Sequence, residues 1–576
     1  MNTNGPRAID PTLLKMYGFA TLEETDMAIR IAITYLDRLI LQRIPRPKPG
    51  ANGTWSPLVI TPFLKLCHEL VEKELKMIVA VYPSFQWLWY LRRLPTHVFS
   101  GGLKTTFGYD SMLAETVTGY GRSNKPLSIR DGQIVYDIKQ KEVRLVLKLC
   151  EYVRFLSQIH VLLRYAGKGV NFLFTDHGLP EQIATSEQEA SIRFYDTRLD
   201  LGTLLFGSTG TVFSLEDNKN DSNVILVASR TSEPEWQPGI FGTIEKYSRV
   251  NVFQQFNLGI ISLSELAQFN EDPRVLASNW MKPPVGSLLL LLLLAIPLMT
   301  YINGAIMAIQ RYGYFVLAQA NFKKFMNERL EWASTQIQPI VPNVTLPSNA
   351  QQMLDILEQS KGSLWPLRPG PPVRRMQSKV CIDLEAATMQ LNNLLYFFPT
   401  GGKPDNFRGQ HFEIAVQKII DASSWCPPEN IKRIRGLPLR HSSRGKNAVT
   451  DIDALGVRED ILLIVSCKSI PYSEYYDAGD YSAVRSAIST IQEAVKQWNE
   501  IKTFLERNPT GNNYDLSDYR QIIAVVCTPH VYYAPLGQPT YFIASGLCAA
   551  VSYQELKTWL SAPEQESLGN ANISSQ

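Results

Sequence analysis

Asp451, Asp453 and Lys468 stand in the stretch VTDIDALGVREDILLIVSCKS, residues 449–469. Aspartates two residues apart project to the same side of an extended chain. Paired carboxylates are hard oxygen donors suited to a divalent cation such as Mg²⁺. A lysine closing the apolar run can carry positive charge, or exchange a proton, where a reaction builds up negative charge. Each residue alone has an ordinary reading: Asp-x-Asp is often a turn or a cap, and a lysine at a strand end is usually solvated. Their joint arrangement is what points to chemistry.

Meeting at one place requires a particular run of elements. GQHFEIAVQKIIDAS, from Gly409, reads as a helix with Phe412, Val416, Ile419 and Ile420 on an apolar face and Glu413 beside it. DIDALGV and ILLIVSCKS read as strands joined through residues 457–460, which would bring Asp453 and Lys468 to one end of a sheet. Leu462, Ile464, Ser466 and Lys468 share a face of the second strand. A long helix follows over about 483–505, then the strand QIIAVVCTP, then CAAVSYQELKTWL as a short strand leading into a helix.

In this order the segments resemble the PD-(D/E)XK nuclease superfamily, in particular its Mrr-like restriction endonuclease branch. The resemblance rests on Gly409 with Phe412-Glu413, on Asp451-Ile452-Asp453, on Ile464-Val465-Ser466-Cys467-Lys468 and on Gln554-Glu555-Leu556. It covers about 160 residues and implies a C-terminal α/β restriction-endonuclease-like domain. The implied activity is metal-dependent endonuclease action on the phosphodiester bonds of DNA, with double-stranded DNA as substrate and Mg²⁺, or Mn²⁺, as cofactor. Glu413, Asp453 and Lys468 are the catalytic residues the resemblance implies. Asp453 and Glu413 would hold the metal with the backbone carbonyl of Cys467, while Lys468 would orient or deprotonate the attacking water or steady the transition-state charge.

Ser466 is the departure, since an Asp or Glu usually stands at this point of the motif. A serine hydroxyl is neutral and a weaker ligand for a hard cation. Three readings stay open: Asp451 supplies the missing charge; a carboxylate has migrated to Glu474, Asp477 or Asp480; or the domain is a catalytically inactive module that binds nucleic acid or serves as a scaffold. Between Glu429 and Asp451 there is no acidic residue, whereas Lys432, Arg433, Arg435, Arg440, Arg444 and Lys446 fall there. Such a run suits contacts to phosphates that do not read bases, although a solvated charged loop has the same composition.

The other four hundred residues carry hints of architecture and no chemistry. A chain of 576 residues with a formal charge of +3 suits several domains and excludes nucleic-acid binding driven by whole-molecule charge. Seven scattered cysteines without a CxxC pair suit reduced thiols in the cytoplasm, and the N-terminus has no signal-peptide pattern. The expected fold is multidomain: mostly α-helical N-terminal and middle regions with a small β-rich section, plus the C-terminal α/β domain. Residues 1–275 form an N-terminal region of unknown function, helical and then β-rich from about 190. Residues 276–400 form a helical region with a leucine run and a Pro-rich linker at 363–376, 401–562 the nuclease-like domain, and 563–576 a loose tail.

Thr21 to Glu24 has the form of a capping box opening a helix to about Leu41. The Trp and Tyr cluster at 87–90 reads as packing. GSTGT at 207–211 lacks the Lys-Ser/Thr of a phosphate loop and reads as a turn. The uncharged run Val285–Ile309 has the length of a membrane span, so a buried core helix and membrane association are both expectations for it. A bacterial restriction or anti-phage defence role, and assembly into a homo-oligomer, are expectations by analogy of fold.

Overall fold

The computed structural model describes residues 18–94, 107–122, 129–202, 211–212, 223–230, 256–397, 405–535 and 542–561, with short breaks at 51, 131–132, 135, 137, 269–271, 276, 303, 360–361, 446 and 545–546. It is mostly helical, with several small sheets.

The N-terminal region is a helical cluster of α1 (Leu22–Arg43), α2 (Pro57–Val79), α3 (Ser84–Leu91), α4 (Phe107–Val117) and α5 (Gln140–Gly167). The hydroxyl of Thr21 accepts the Glu24 N–H at 3.2 Å, which starts α1 at the signalled position. Helices α1, α2 and α4 pack around α5, and Trp87, Trp89 and Tyr90 are buried in the core this creates.

The section set down as β-rich from about 190 opens instead with a helix, α6 (Ser186–Gly202). Its signals are a reciprocal cap and a helical apolar spacing. Thr185 and Gln188 exchange backbone-to-side-chain bonds at 3.1 and 3.2 Å, and Ile192, Tyr195 and Leu199 pack into the core. The strands come later, as an antiparallel pair of β1 (Val224–Arg230) and β2 (Phe256–Ser262). Of GSTGT, only its last residue lies among the described residues.

The uncharged run does not form one helix. It divides into α7 (Pro283–Tyr301) and α8 (Ala305–Tyr312), with Gly304 in a left-handed conformation (φ 81°) between them. Among the described residues α7 is the one helix long and apolar enough to cross a membrane, and 78% of its most apolar window is buried. Its neighbours are β1 and three further helices, α9 (Gln319–Ile337), α10 (Ala350–Gln359) and α11 (Leu384–Tyr396). Gly286 is needed for this packing, because a Cβ there would come within 2.1 Å of the Thr345 carbonyl oxygen.

The Pro-rich stretch at 363–376 is built into the fold. Leu364 and Val373 are buried in two different cores. The stretch ends in β4 (Val373–Met376), the edge of a sheet in the order β4, β5 (Lys379–Asp383), β3 (Tyr314–Ala318). Arg92, fully buried, meets Glu115, Asp383 and Glu385 at 2.5–3.2 Å, and Arg230 meets Glu115 and Glu385 at 2.6 and 2.7 Å. The network ties α3 and α4 to β1 and α11, and Arg374, facing Asp383 at 3.6 Å, brings it to three arginines against three carboxylates, the balance that burial demands.

The C-terminal part begins with α12 (Asp405–Asp421) and a small hairpin of β6 (Leu439–Arg440) and β7 (Ala448–Thr450). A mixed sheet follows: β8 (Ala454–Arg458), antiparallel to β9 (Ile461–Cys467), then β10 (Gln521–Thr528) and β11 (Ala550–Ser552), both parallel to their neighbours. The long helix α13 (Tyr481–Arg507) makes the crossover from β9 to β10, and α14 (Tyr553–Ser561) follows β11. Alternation along β9 divides its side chains. Ile461, Leu463 and Val465 share a core with α12 and α14, while Leu462 and Ile464 share one with α13. The turn between β8 and β9 holds two residues, with Glu459 at φ 55°.

Residues 474–480, between β9 and α13, are gripped from the N-terminal side. Arg368 donates to Glu474 at 2.6 Å, Arg164 faces Asp477 at 4.0 Å, and Lys65 pairs with Asp480 at 2.9 Å. Gly479 lies so close to α5 that a Cβ there would meet Arg164 Cα at 2.5 Å. Farther along the domain, Arg198 of α6 makes a two-pronged bond to Glu555 at 2.6 and 2.9 Å.

Candidate active site

Burial of Phe412, Val416 and Ile420 against the sheet fixes the rotation of α12. That rotation leaves Glu413 and Gln417, one turn apart, on the same flank of the helix. Asp453 is the residue immediately before β8, and Lys468 the residue immediately after β9. Antiparallel pairing of Ala454 with Val465 therefore puts both at one edge of the sheet, beside Ser466 and Cys467. The Lys468 N–H is bound to the Cys527 carbonyl at 2.8 Å, which ties this end of β9 to β10.

Asp453 is held at both ends. Its Oδ2 accepts the Cys467 N–H at 2.6 Å, and its backbone carbonyl accepts the side-chain amide of Gln417. Asp451 is exposed, Glu413, Asp453 and Lys468 are half-buried, and Ser466 is 5% exposed.

The carboxylates feel one another's charge. Burial pushes the Asp453 carboxyl up to about 6, against the opposing pull of the Cys467 N–H; Glu413 and Asp451 raise it further and Lys468 lowers it. Burial also raises the Glu413 carboxyl, with Asp451 adding to the rise and Lys468 opposing it. Three like charges and one lysine thus share a neighbourhood from which water is partly withdrawn. Among the described residues, however, no group of three or more His, Cys, Asp or Glu side chains stands close enough to hold a metal ion. The donor types suit a hard cation, but their side chains do not form a closed cage.

The three displaced candidates serve other purposes. Glu474 and Asp477 face Arg368 and Arg164, and Asp477 also accepts the Tyr472 hydroxyl at 2.9 Å. Asp480 caps α13 through the N–H groups of Ser482 and Ala483 and pairs with Lys65. Glu555 is committed to Arg198 and to the Ser552 N–H. Asp451 is the remaining acid in electrostatic contact with Glu413 and Asp453.

The basic run divides in the same way. Lys432 pairs with Glu429 at 2.7 Å, and Arg435 binds Asp421 and the Leu455 carbonyl. Arg433, Arg440 and Arg444 are exposed, and Lys446 lies outside the described residues. The Arg444 guanidinium lies 5.0 Å over the Phe504 ring of α13, and Asn513 pins the Arg440 backbone through its N–H at 2.8 Å. Because β7 runs directly into Asp451, this hairpin adjoins the carboxylates.

Gln417 was not singled out from the sequence. Its position four residues after Glu413 on an amphipathic helix is the signal that could have found it. Compared with known proteins, the chain matches no family, no curated protein and no solved structure.

Proposed function

We propose that the C-terminal domain is a Mg²⁺-dependent endonuclease of the PD-(D/E)XK type that hydrolyses phosphodiester bonds of double-stranded DNA. The observation that carries this reading is the meeting of Glu413, Asp453 and Lys468, from a helix and two paired strands, at one sheet edge where each perturbs its neighbours' charge. A bound Mg²⁺ or Mn²⁺ would supply Lewis-acid activation of a water and of the scissile phosphoryl oxygen. Asp453, Glu413 and Asp451 would hold it, with the Cys467 carbonyl as a further oxygen donor, once the three side chains, which do not stand as a closed cage, turn in towards the ion. Asp451 takes the part that Ser466 lacks, since Glu474, Asp477 and Asp480 are engaged elsewhere. Lys468 orients the attacking water and offsets the negative charge of the five-coordinate phosphorus. Arg433, Arg440 and Arg444 bind neighbouring phosphates without reading sequence. The working site is cytoplasmic, and the role is restriction or anti-phage defence, with the helical N-terminal region as regulator.

A second reading, a catalytically inactive module that binds nucleic acid, is favoured by the open arrangement of the carboxylates and by Ser466. Incubating the full chain with plasmid DNA and Mg²⁺, beside Asp453→Ala and Lys468→Ala, separates the two. Nicking or linearisation by the wild type alone supports the nuclease; equal residual cutting by all three proteins sinks it.

A further inference from the structure

We propose that Gln417 is a positioning residue that fixes Asp453 for cation binding; this rests on the metal-dependent reading of the site. Asp453 lies one residue outside β8, where the strand ladder no longer holds the backbone. Two bonds from two different elements replace that restraint. The Gln417 side-chain amide donates to the Asp453 carbonyl from α12, and the Cys467 N–H donates to Asp453 Oδ2 from β9 at 2.6 Å. With its carbonyl and one carboxylate oxygen anchored, Asp453 keeps the other oxygen for a ligand.

The helical spacing gives this bond a second effect. Glu413 and Gln417 are i and i+4 on α12, so the element that presents Glu413 also grips the peptide of Asp453. The two carboxylates are thereby held in register, although one is borne by a helix and the other by a strand end. Outer-shell hydrogen bonds of this kind typically change metal affinity about 10–100-fold when removed.

The test is Mn²⁺ titration of the metal-free full chain by calorimetry, without DNA, for wild type, Gln417→Met and Gln417→Ala. Methionine preserves length and removes the donor, and alanine serves if methionine misfolds. The expected result is Mn²⁺ binding weakened about tenfold at an unchanged melting temperature, with plasmid cleavage restored by raising the Mg²⁺ concentration. Unchanged Mn²⁺ affinity would overturn the proposal. So would loss of affinity only in step with a collapsed melting temperature in both variants, which is what simple satisfaction of a half-buried carbonyl predicts. Absence of Mn²⁺ binding by the wild-type chain overturns the metal reading itself and this proposal with it. Wild-type binding that Asp453→Ala abolishes and Gln417→Met leaves intact overturns this proposal alone.

Discussion

Replacing Asp453 by asparagine should stabilise the metal-free protein while removing its response to metal. In the fold the Asp453 carboxyl titrates at about 6 against an ordinary 3.8, chiefly because it is buried. Each tenfold change in a protonation equilibrium is worth about 1.4 kcal/mol. Keeping this group ionised in the folded state at pH 8 therefore costs about 3 kcal/mol relative to the unfolded chain. The sign follows from the direction of the shift: the folded carboxyl holds its proton more tightly. Its contribution to stability is full below about pH 4 and lost as the pH rises through about 6. Asparagine retains an oxygen to accept the Cys467 N–H but carries no charge.

The advantage of Asp453→Asn should thus approach 3 kcal/mol at pH 8 and fall to about half of that at pH 5. At about 1 °C per kcal/mol for a chain of 576 residues, the pH 8 difference of a few degrees is readable by thermal melting in a chelating buffer. Added Mg²⁺ should raise the melting temperature of the wild type and leave the variant unmoved. A variant no more stable than wild type at pH 8, or a gap that does not narrow at pH 5, would refute the account of a buried, charge-crowded carboxylate.

Asp451→Asn should weaken Mn²⁺ binding at least about tenfold, since losing a charged direct ligand costs no less than losing an outer-shell bond, whereas Glu474→Gln should leave it unchanged; calorimetry of both variants decides which acid answers for Ser466. Arg440→Ala and Arg444→Ala should each lower the slope of log Kd for DNA against log salt by about 1, the signature of one lost phosphate contact. An unchanged slope would remove that arginine from the interface. Gly286→Ala should cost about 1–3 kcal/mol in denaturant unfolding, because its Cβ has no room beside Thr345.

Local periodicity made much of the C-terminal part legible. Phe412, Val416 and Ile420 recur at helical spacing, and the apolar run from Ile461 to Val465 reads as a strand covered on both faces. The two-residue turn at Glu459 and Asp460 then sets the pairing that brings Asp453 and Lys468 to one edge. Partners distant in sequence were not legible. Glu474, Asp477 and Asp480 read as spare acids because nothing near them announces Arg368, Arg164 and Lys65. Lys432 and Arg435 read as phosphate ligands although Glu429 and Asp421 take them. The helix Ser186–Gly202 was readable from its Thr185–Gln188 cap, but the short β-like runs that follow made the section from about 190 read as β-rich. The leucine run was ambiguous for a physical reason: lipid and a crowd of helices reward the same composition.

The grip on residues 474–480 bears on how such a chain could change over generations. Lys65, Arg164 and Arg368 come from three separated parts of the first 370 residues, and Arg198 adds a fourth tether at Glu555. A module joined to its neighbour by a slack linker can be exchanged between genes in one recombination. Here a transplanted C-terminal part would arrive without the partners of Asp480, Glu474 and Glu555, and the remnant would keep arginines and a lysine with nothing to meet. The unit that selection can move is the whole chain, and drift on either side of the junction is answerable to the other.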